Sequence, residues 1–147
     1  MSEIKTVFSK ESGRADNYRI PSIVKTKSGA LVACADERFF TCRDNPNRID
    51  KVVRRSLDNG ETWEEQIIAV EEVGESMRDA SAAIDPCMLY DEDTDTVFMI
   101  YSHTPAGIGI LNCKKGIGQD EAGNLYLYGG KTKYTLKEGR VYDKAGA

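Results

Sequence analysis

"SLDNGETW", residues 56–63, compresses a chain reversal and the start of a strand into eight positions. Ser56 and Asp58 carry short oxygen-bearing side chains that hydrogen-bond the backbone of a turn. Gly60 accepts the positive φ at which a chain reverses, and Trp63 can pack across the hairpin as the next strand begins. Read on turn chemistry alone, the stretch is a device that holds a fold.

The segments on either side agree with a hairpin. Helical periodicity is weak everywhere, whereas short apolar or alternating runs separated by turn residues recur from residue 18 onward, which predicts an all-β chain. The predicted strands are Tyr18–Thr26, Leu31–Asp36, Lys51–Leu57, Gln66–Val70, Pro86–Tyr90, Val97–Ser102, Asn124–Tyr128 and Lys131–Leu136. "KSG" (27–29), "DNG" (58–60) and "DEDTD" (91–95) are each short enough to close an antiparallel pair. Four strands over 18–70 fill roughly the 40–50 residues of one propeller blade, and a second group begins at Pro86. Residues 71–80 read as a polar loop and 103–123 as a long connection. The closing "EGRVYDKAGA" reads as a chain that stops without a final element.

Bulk properties narrow the function. The 147 residues carry a net charge of −4 with Lys and Arg spread along the chain, which argues against a nucleic-acid partner. The longest apolar runs, such as Val97–Tyr101, fall far short of the roughly 20 residues of a transmembrane helix. The first residues contain no apolar signal core, so the chain as written is expected in the cytoplasm. Cys34, Cys42, Cys87 and Cys113 form no CxxC pair and are expected as free thiols, with Cys34 and Cys87 packing as small hydrophobes. The lone His103 supports neither a metal site nor a triad. "DEDTDTVFMIYS" (91–102) lacks the glycine and terminal glutamate of a calcium loop, and "GIGILN" (107–112) completes no phosphate-binding motif. No cofactor and no metal is expected.

"DNYRIPSIVKT" (16–26) poses the chemical question, because Arg19 interrupts an otherwise strand-like run. A buried unpaired guanidinium costs several kcal/mol, so Arg19 either salt-bridges a carboxylate or faces a cavity that receives an anion. Asp36, Glu37, Asp44 and Asp50 all offer carboxylates nearby. Asp44, in "CRDNPNRID" (42–50), is also ordinary turn chemistry before a proline.

These motifs together resemble the bacterial sialidases. "SLDNGETW" matches the Asp-box pattern SxDxGxTW at every fixed position, and "YRIP" (18–21) resembles the (F/Y)RIP motif that opens their catalytic domains. The similarity runs on through "ADERFFTCRDNPNRIDKVVRR" (35–55) and "SAAIDPCMLYDEDTDTVFMIYSHTP" (81–105). The resemblance implies a six-bladed β-propeller of which this chain carries about the first two blades and part of an insertion. The first blade with its Asp box (Ser56, Asp58, Gly60, Thr62, Trp63) would span 18–70, and the second, truncated, 81–147.

It further implies an exo-α-sialidase acting on sialylated glycans of glycoproteins, gangliosides or oligosaccharides. Arg19 would be one arm of a three-arginine clamp on the substrate carboxylate, and Asp44 the acid/base, with Asp50 a distant second candidate. Arg38 and Asp85 would bind the sugar near its 4-hydroxyl from two sides. The nucleophilic tyrosine, its glutamate and the other two clamp arginines belong to later blades, so the fragment alone is expected to be inactive. The resemblance leaves open secretion of a full-length parent, intramolecular trans-sialidation, and a non-catalytic Asp-box propeller that binds glycan or protein. The joint presence of Arg19, Arg38, Asp44 and Asp85 favours the enzyme.

Overall fold

β-Branched and aromatic residues set between polar turns form nine strands and no helix among the described residues, which are 4–109, 112, 113, 116, 118–129, 132–143 and 145 of the computed structural model. They are β1 (Asn17–Lys25), β2 (Leu31–Arg38), β3 (Ile49–Ser56), β4 (Ile67–Val70), β5 (Ala82–Asp91), β6 (Thr96–Thr104), β7 (Leu125–Gly129), β8 (Thr132–Lys137) and β9 (Arg140–Tyr142). No helix among these residues is long and apolar enough to cross a membrane. The chain divides into two compact units, Met1–Asn112 and Cys113–Ala147.

In the first unit β1 to β4 form an antiparallel meander, and the β5–β6 hairpin joins β3 through one parallel pair, Ile49↔Ala82. The second ribbon also packs on the first, with Met88 N donating to Ser22 Oγ (3.1 Å). In the second unit β7, β8 and β9 form a small antiparallel sheet.

The three hairpin turns fall where the turn residues place them. At the β3–β4 turn Ser56 Oγ donates to Asp58 Oδ1 (2.8 Å) and accepts from Gly60 N (2.8 Å). Asp58 in turn accepts from Thr62 N (2.9 Å) and Thr62 Oγ1 (2.5 Å), and Gly60 sits at φ 93°. These bonds hold the Asp58 carboxyl down to about 2 in pKa, chiefly through Thr62. Trp63 Nε1 is buried without a partner among the described residues, so the indole serves by packing.

Strand ends differ from the expectation in a way that matters for the site. β2 continues to Arg38 and β3 begins at Ile49, so "ER" and "ID" lie in paired strand, because Glu37↔Asp50 and Arg38↔Ile49 continue the ladder. The stretch 138–147, expected to lack a closing element, contains β9, since Glu138 (φ 49°) and Gly139 (φ 75°) fold it back onto β8. The predicted strand start at residue 131 lies outside the described residues.

The interior is unusually polar. Ala33, Cys34, Ala35, Ala82 and Ala83 are buried along with Ile49, Val52 and Ile84, of which Ile49, Ala82 and Ile84 form one cluster, while Asp36, Glu37, Arg38, Asp50 and Lys51 are fully buried. Larger apolar side chains, including Ile23, Ile67, Leu89, Phe98 and Ile100, are exposed. Cys34 is buried as expected, but Cys87, beyond a break in the β5–β6 register, is exposed.

Candidate active site

Strand alternation sorts the buried charges onto two faces. Register places Arg19, Asp36 and Lys51 side by side on one face of β1, β2 and β3, and Tyr18, Glu37 and Asp50 side by side on the other. Arg38, two residues beyond Asp36, shares the first face.

On that first face the guanidinium of Arg38 is wholly buried. Its Nε and Nη2 donate to Asp36 Oδ2 (3.2 and 2.7 Å), and its Nη1 donates to Cys42 O (3.1 Å) and Asp44 Oδ1 (2.7 Å). Arg19 reaches the same spot from β1, with Nη1 donating to Cys42 O (3.1 Å) and lying 3.8 Å from Asp44 Oδ1. Arg19 and Asp44 are about half exposed, at 48% and 58% of their side chains. They line a cleft of about 480 Å³ together with Arg43, Asn45, Pro46 and Met77. The remaining donors of Arg19 hydrogen-bond no described residue, and neither does Asp44 Oδ2.

Three of the four predicted substrate and acid residues, Arg19, Arg38 and Asp44, are therefore brought together. Asp85 is not among their hydrogen-bond partners. It is exposed on β5 at φ 58°, and its charge acts instead on Lys51. Lys51, fully buried, donates to Asp36 Oδ1 and to Ala83 O (2.6 Å). Burial pushes its ammonium pKa down against the opposing pull of Asp36.

The opposite face is a separate network. Glu37 accepts from Tyr18 Oη (2.6 Å), Gln66 Nε2 (2.9 Å) and Arg14 N (2.8 Å), and its other oxygen accepts from Arg14 Nε and Nη2 (3.1 and 3.0 Å). Asp50 receives Arg14, Arg48 and the Glu72 amide. The Arg48 and Arg14 guanidinium carbons stand 4.4 and 5.3 Å from the Phe39 ring centroid. Every carboxylate oxygen of Asp50 and Glu37 is thus engaged, and Asp44 is the one of these acids with an oxygen open to the cleft.

The loop that carries Asp44 is braced from β6 and the segment after it. Asn45 Nδ2 donates to Thr104 Oγ1 (2.7 Å) and to Ile108 O (3.3 Å), and a Cβ at Gly109 would lie 2.1 Å from Asn45 O. The glycines of "GIGILN", which bind no phosphate in the sequence reading, here allow two loops to touch. Sequence reasoning missed Lys51, Asn45, Thr104 and Gly109. Only Lys51 left a signal, as a charge opposite Asp36 once β2 and β3 are aligned. Among the described residues no cluster of three or more His, Cys, Asp or Glu is placed to hold a metal ion.

No family model matches the chain. Its relatives are nevertheless consistent. It is 30% identical over 143 residues to the anhydrosialidase of Macrobdella decora, covering 86% of this chain and 18% of that protein. It superposes on the NanB sialidase of Streptococcus pneumoniae with a TM-score of 0.77 at 25% identity, covering 96% of this chain and 25% of that one. On the intramolecular trans-sialidase of Ruminococcus gnavus the TM-score is 0.69 at 27% identity, covering 90% and 32%.

An all-β chain with these neighbours has the fold class of a sialidase-type β-propeller. In sequence and in fold alike, the proteins it is similar to are sialidases, matched over most of this chain. The chain spans 18% and 23% of the length of the first two curated relatives it matches.

Proposed function

We propose that this chain is the opening part of the catalytic domain of a retaining exo-α-sialidase that releases terminal sialic acid from glycoproteins, gangliosides and oligosaccharides. In this reading 18–70 form the first blade of a six-bladed propeller and 81–147 the second blade and part of an insertion. One observation carries the proposal: an arginine with unspent donors and an aspartate with an unspent oxygen share one cleft.

Arg19 supplies a planar fork suited to the sugar carboxylate, a geometry lysine lacks. Asp44, held through Oδ1 by Arg38, presents Oδ2 to donate a proton to the departing glycosidic oxygen and then to accept one from water. The resemblance assigns Arg38 and Asp85 to the sugar hydroxyls; Arg38, wholly buried with its donors on Asp36, Cys42 O and Asp44, bears on the substrate through the Asp44 carboxylate that it holds.

Sialidases use a tyrosine nucleophile, which avoids the repulsion between a carboxylate nucleophile and an anionic substrate. Tyr18 and Glu37 make such a pair in outline, but on the face away from the cleft. Burial and then the Glu37 charge push the Tyr18 phenol up to about 12, opposite to activation. The nucleophile is assigned to no residue of this chain, and the 147 residues alone are expected to be inactive.

The test is turnover of a fluorogenic sialoside by the full-length product of the gene encoding this chain, beside the 147-residue chain. Expected are activity in the first, none in the second, loss of kcat in Asp44→Asn and a raised KM in Arg19→Ala. A full-length product that binds sialosides without cleaving them would replace this reading with a glycan-binding propeller. The Macrobdella and Ruminococcus relatives, named an anhydrosialidase and an intramolecular trans-sialidase, favour a second reading in which the product is an anhydro sugar. Mass spectrometry of the released sugar separates the two, since that product lacks one water.

A further inference from the structure

Four charges of alternating sign follow one another on the cleft side of β2 and β3: Lys51, Asp36, Arg38 and Asp44. The first three are wholly buried and the last opens to the cleft. The contacts have an unusual division. Lys51 takes Asp36 Oδ1, and Arg38 brings both Nε and Nη2 to the single oxygen Oδ2. A guanidinium beside a free carboxylate spreads those two donors over both oxygens. Here the second oxygen is already occupied.

We propose that Lys51 and Asp36 are positioning residues for Asp44: by holding Asp36 Oδ1, Lys51 confines Arg38 to Oδ2 and so leaves Nη1 aimed at Asp44 Oδ1. The proposal rests on the reading of Asp44 as the acid/base. Without the ammonium, Arg38 rotates to engage both oxygens of Asp36. Nη1 then leaves Asp44, and the acid loses the contact that fixes its carboxyl plane relative to Arg19. Lys51 also donates to Ala83 O at the start of β5, so the same side chain ties the second ribbon to the face that carries the site. A purely structural lysine would account for that tie. It would not require the one-oxygen geometry of Arg38.

Crystal structures and kinetics of the full-length gene product, as wild type, Lys51→Met, Lys51→Gln and Lys51→Arg, test this. In Lys51→Met the contact between Arg38 Nη1 and Asp44 Oδ1, 2.7 Å here, is expected to open beyond hydrogen-bonding distance. The kcat per folded molecule is expected to fall about 10- to 100-fold, the scale of a misplaced catalytic group, with KM unchanged because Arg19 still holds the carboxylate. Lys51→Arg, which returns a cation to Asp36 Oδ1, recovers part of kcat. Lys51→Gln keeps a donor toward Ala83 O without the charge, and serves if the methionine variant does not fold.

A contact that persists in the variant crystals overturns the inference, as does a kcat that falls only with the folded fraction. A wild type that turns over no sialoside sinks the functional reading instead, and the crystallographic distance then decides the geometric inference by itself.

Discussion

Replacing Glu37 by Gln alters one atom of a carboxylate that is fully buried and accepts five hydrogen bonds. The amide can turn two ways. With its nitrogen at the Oε2 position it faces Arg14 Nε and Nη2 and forfeits two charge-assisted bonds. With its nitrogen at Oε1 it confronts Tyr18, Gln66 and the Arg14 amide and forfeits more. Arg14 is one-third exposed, so each lost bond is taken at the low end for charged partners, about 1.5 kcal/mol. The milder orientation then costs about 3 kcal/mol, a large share of the 5–15 kcal/mol typical of a domain.

With a urea dependence of about 2 kcal/mol per molar, the unfolding midpoint should fall by about 1.5 M. Trp63, the single tryptophan, reports the transition by fluorescence. The pH dependence sharpens the test. Burial raises the Glu37 pKa, but Tyr18, the Arg14 amide and side chain, and Gln66 outweigh it, and the folded value lies below 4.5. A carboxyl whose pKa is depressed by folding stabilises fully above its unfolded value and loses that contribution as pH falls through the folded one. The gap between wild type and Glu37→Gln should be complete above about pH 5 and close below 4.5. A loss under about 1 kcal/mol at neutral pH, or a gap that does not narrow in acid, would refute the reasoning.

Three further outcomes are expected. The Asp58 carboxyl, followed by carbon-detected NMR, should titrate at about 2, and a value near 3.8 would show that Thr62 and Ser56 do not hold it. Gly109→Ala should displace the Asn45 backbone, because the added methyl would stand 2.1 Å from its oxygen. Amide shifts should change at 43–45 and 106–109 and leave the Asp-box turn unchanged, while a perturbation spread over the whole sheet would count against a local brace. Under native conditions Cys42, Cys87 and Cys113 should react with a thiol reagent at once, and Cys34, whose thiol pKa burial raises, only on unfolding.

The hairpins were legible because turn chemistry is local: the side chains of Ser56 and Asp58 bond atoms within four residues of themselves. The meeting of Arg19, Arg38 and Asp44 was legible only through a resemblance, since nothing in their spacing says which face each takes. The brace on the Asp44 loop was not legible at all. It joins Asn45 to Thr104, 59 positions away, and a glycine needed for close approach leaves the same trace in a sequence as a glycine in a turn.

Arg19 shows what strict alternation leaves out. Counting back from Ile23, which is exposed, period two puts Pro21 and Arg19 on the face of Ile23, away from the buried Cys34 and Asp36. The register breaks between Arg19 and Ser22, where Ile20 and Pro21 together oppose Ala35 alone, and Ile20 is held at φ 54°. The extra residue brings Arg19 onto the face of Ser22, Asp36 and Lys51, within reach of Asp44. β5 repeats the device: Asp85, at φ 58°, and Pro86 together oppose Tyr101, between Ile84↔Ser102 and Cys87↔Ile100. A β-branched isoleucine at positive φ is costly, and proline after it removes a ladder donor, so neither "RIP" nor "IDP" is what an uninterrupted strand would select. Both ribbons therefore begin with a break that re-aims side chains near the shared end of the sheet, and in β1 the side chain so turned is the arginine that lines the cleft.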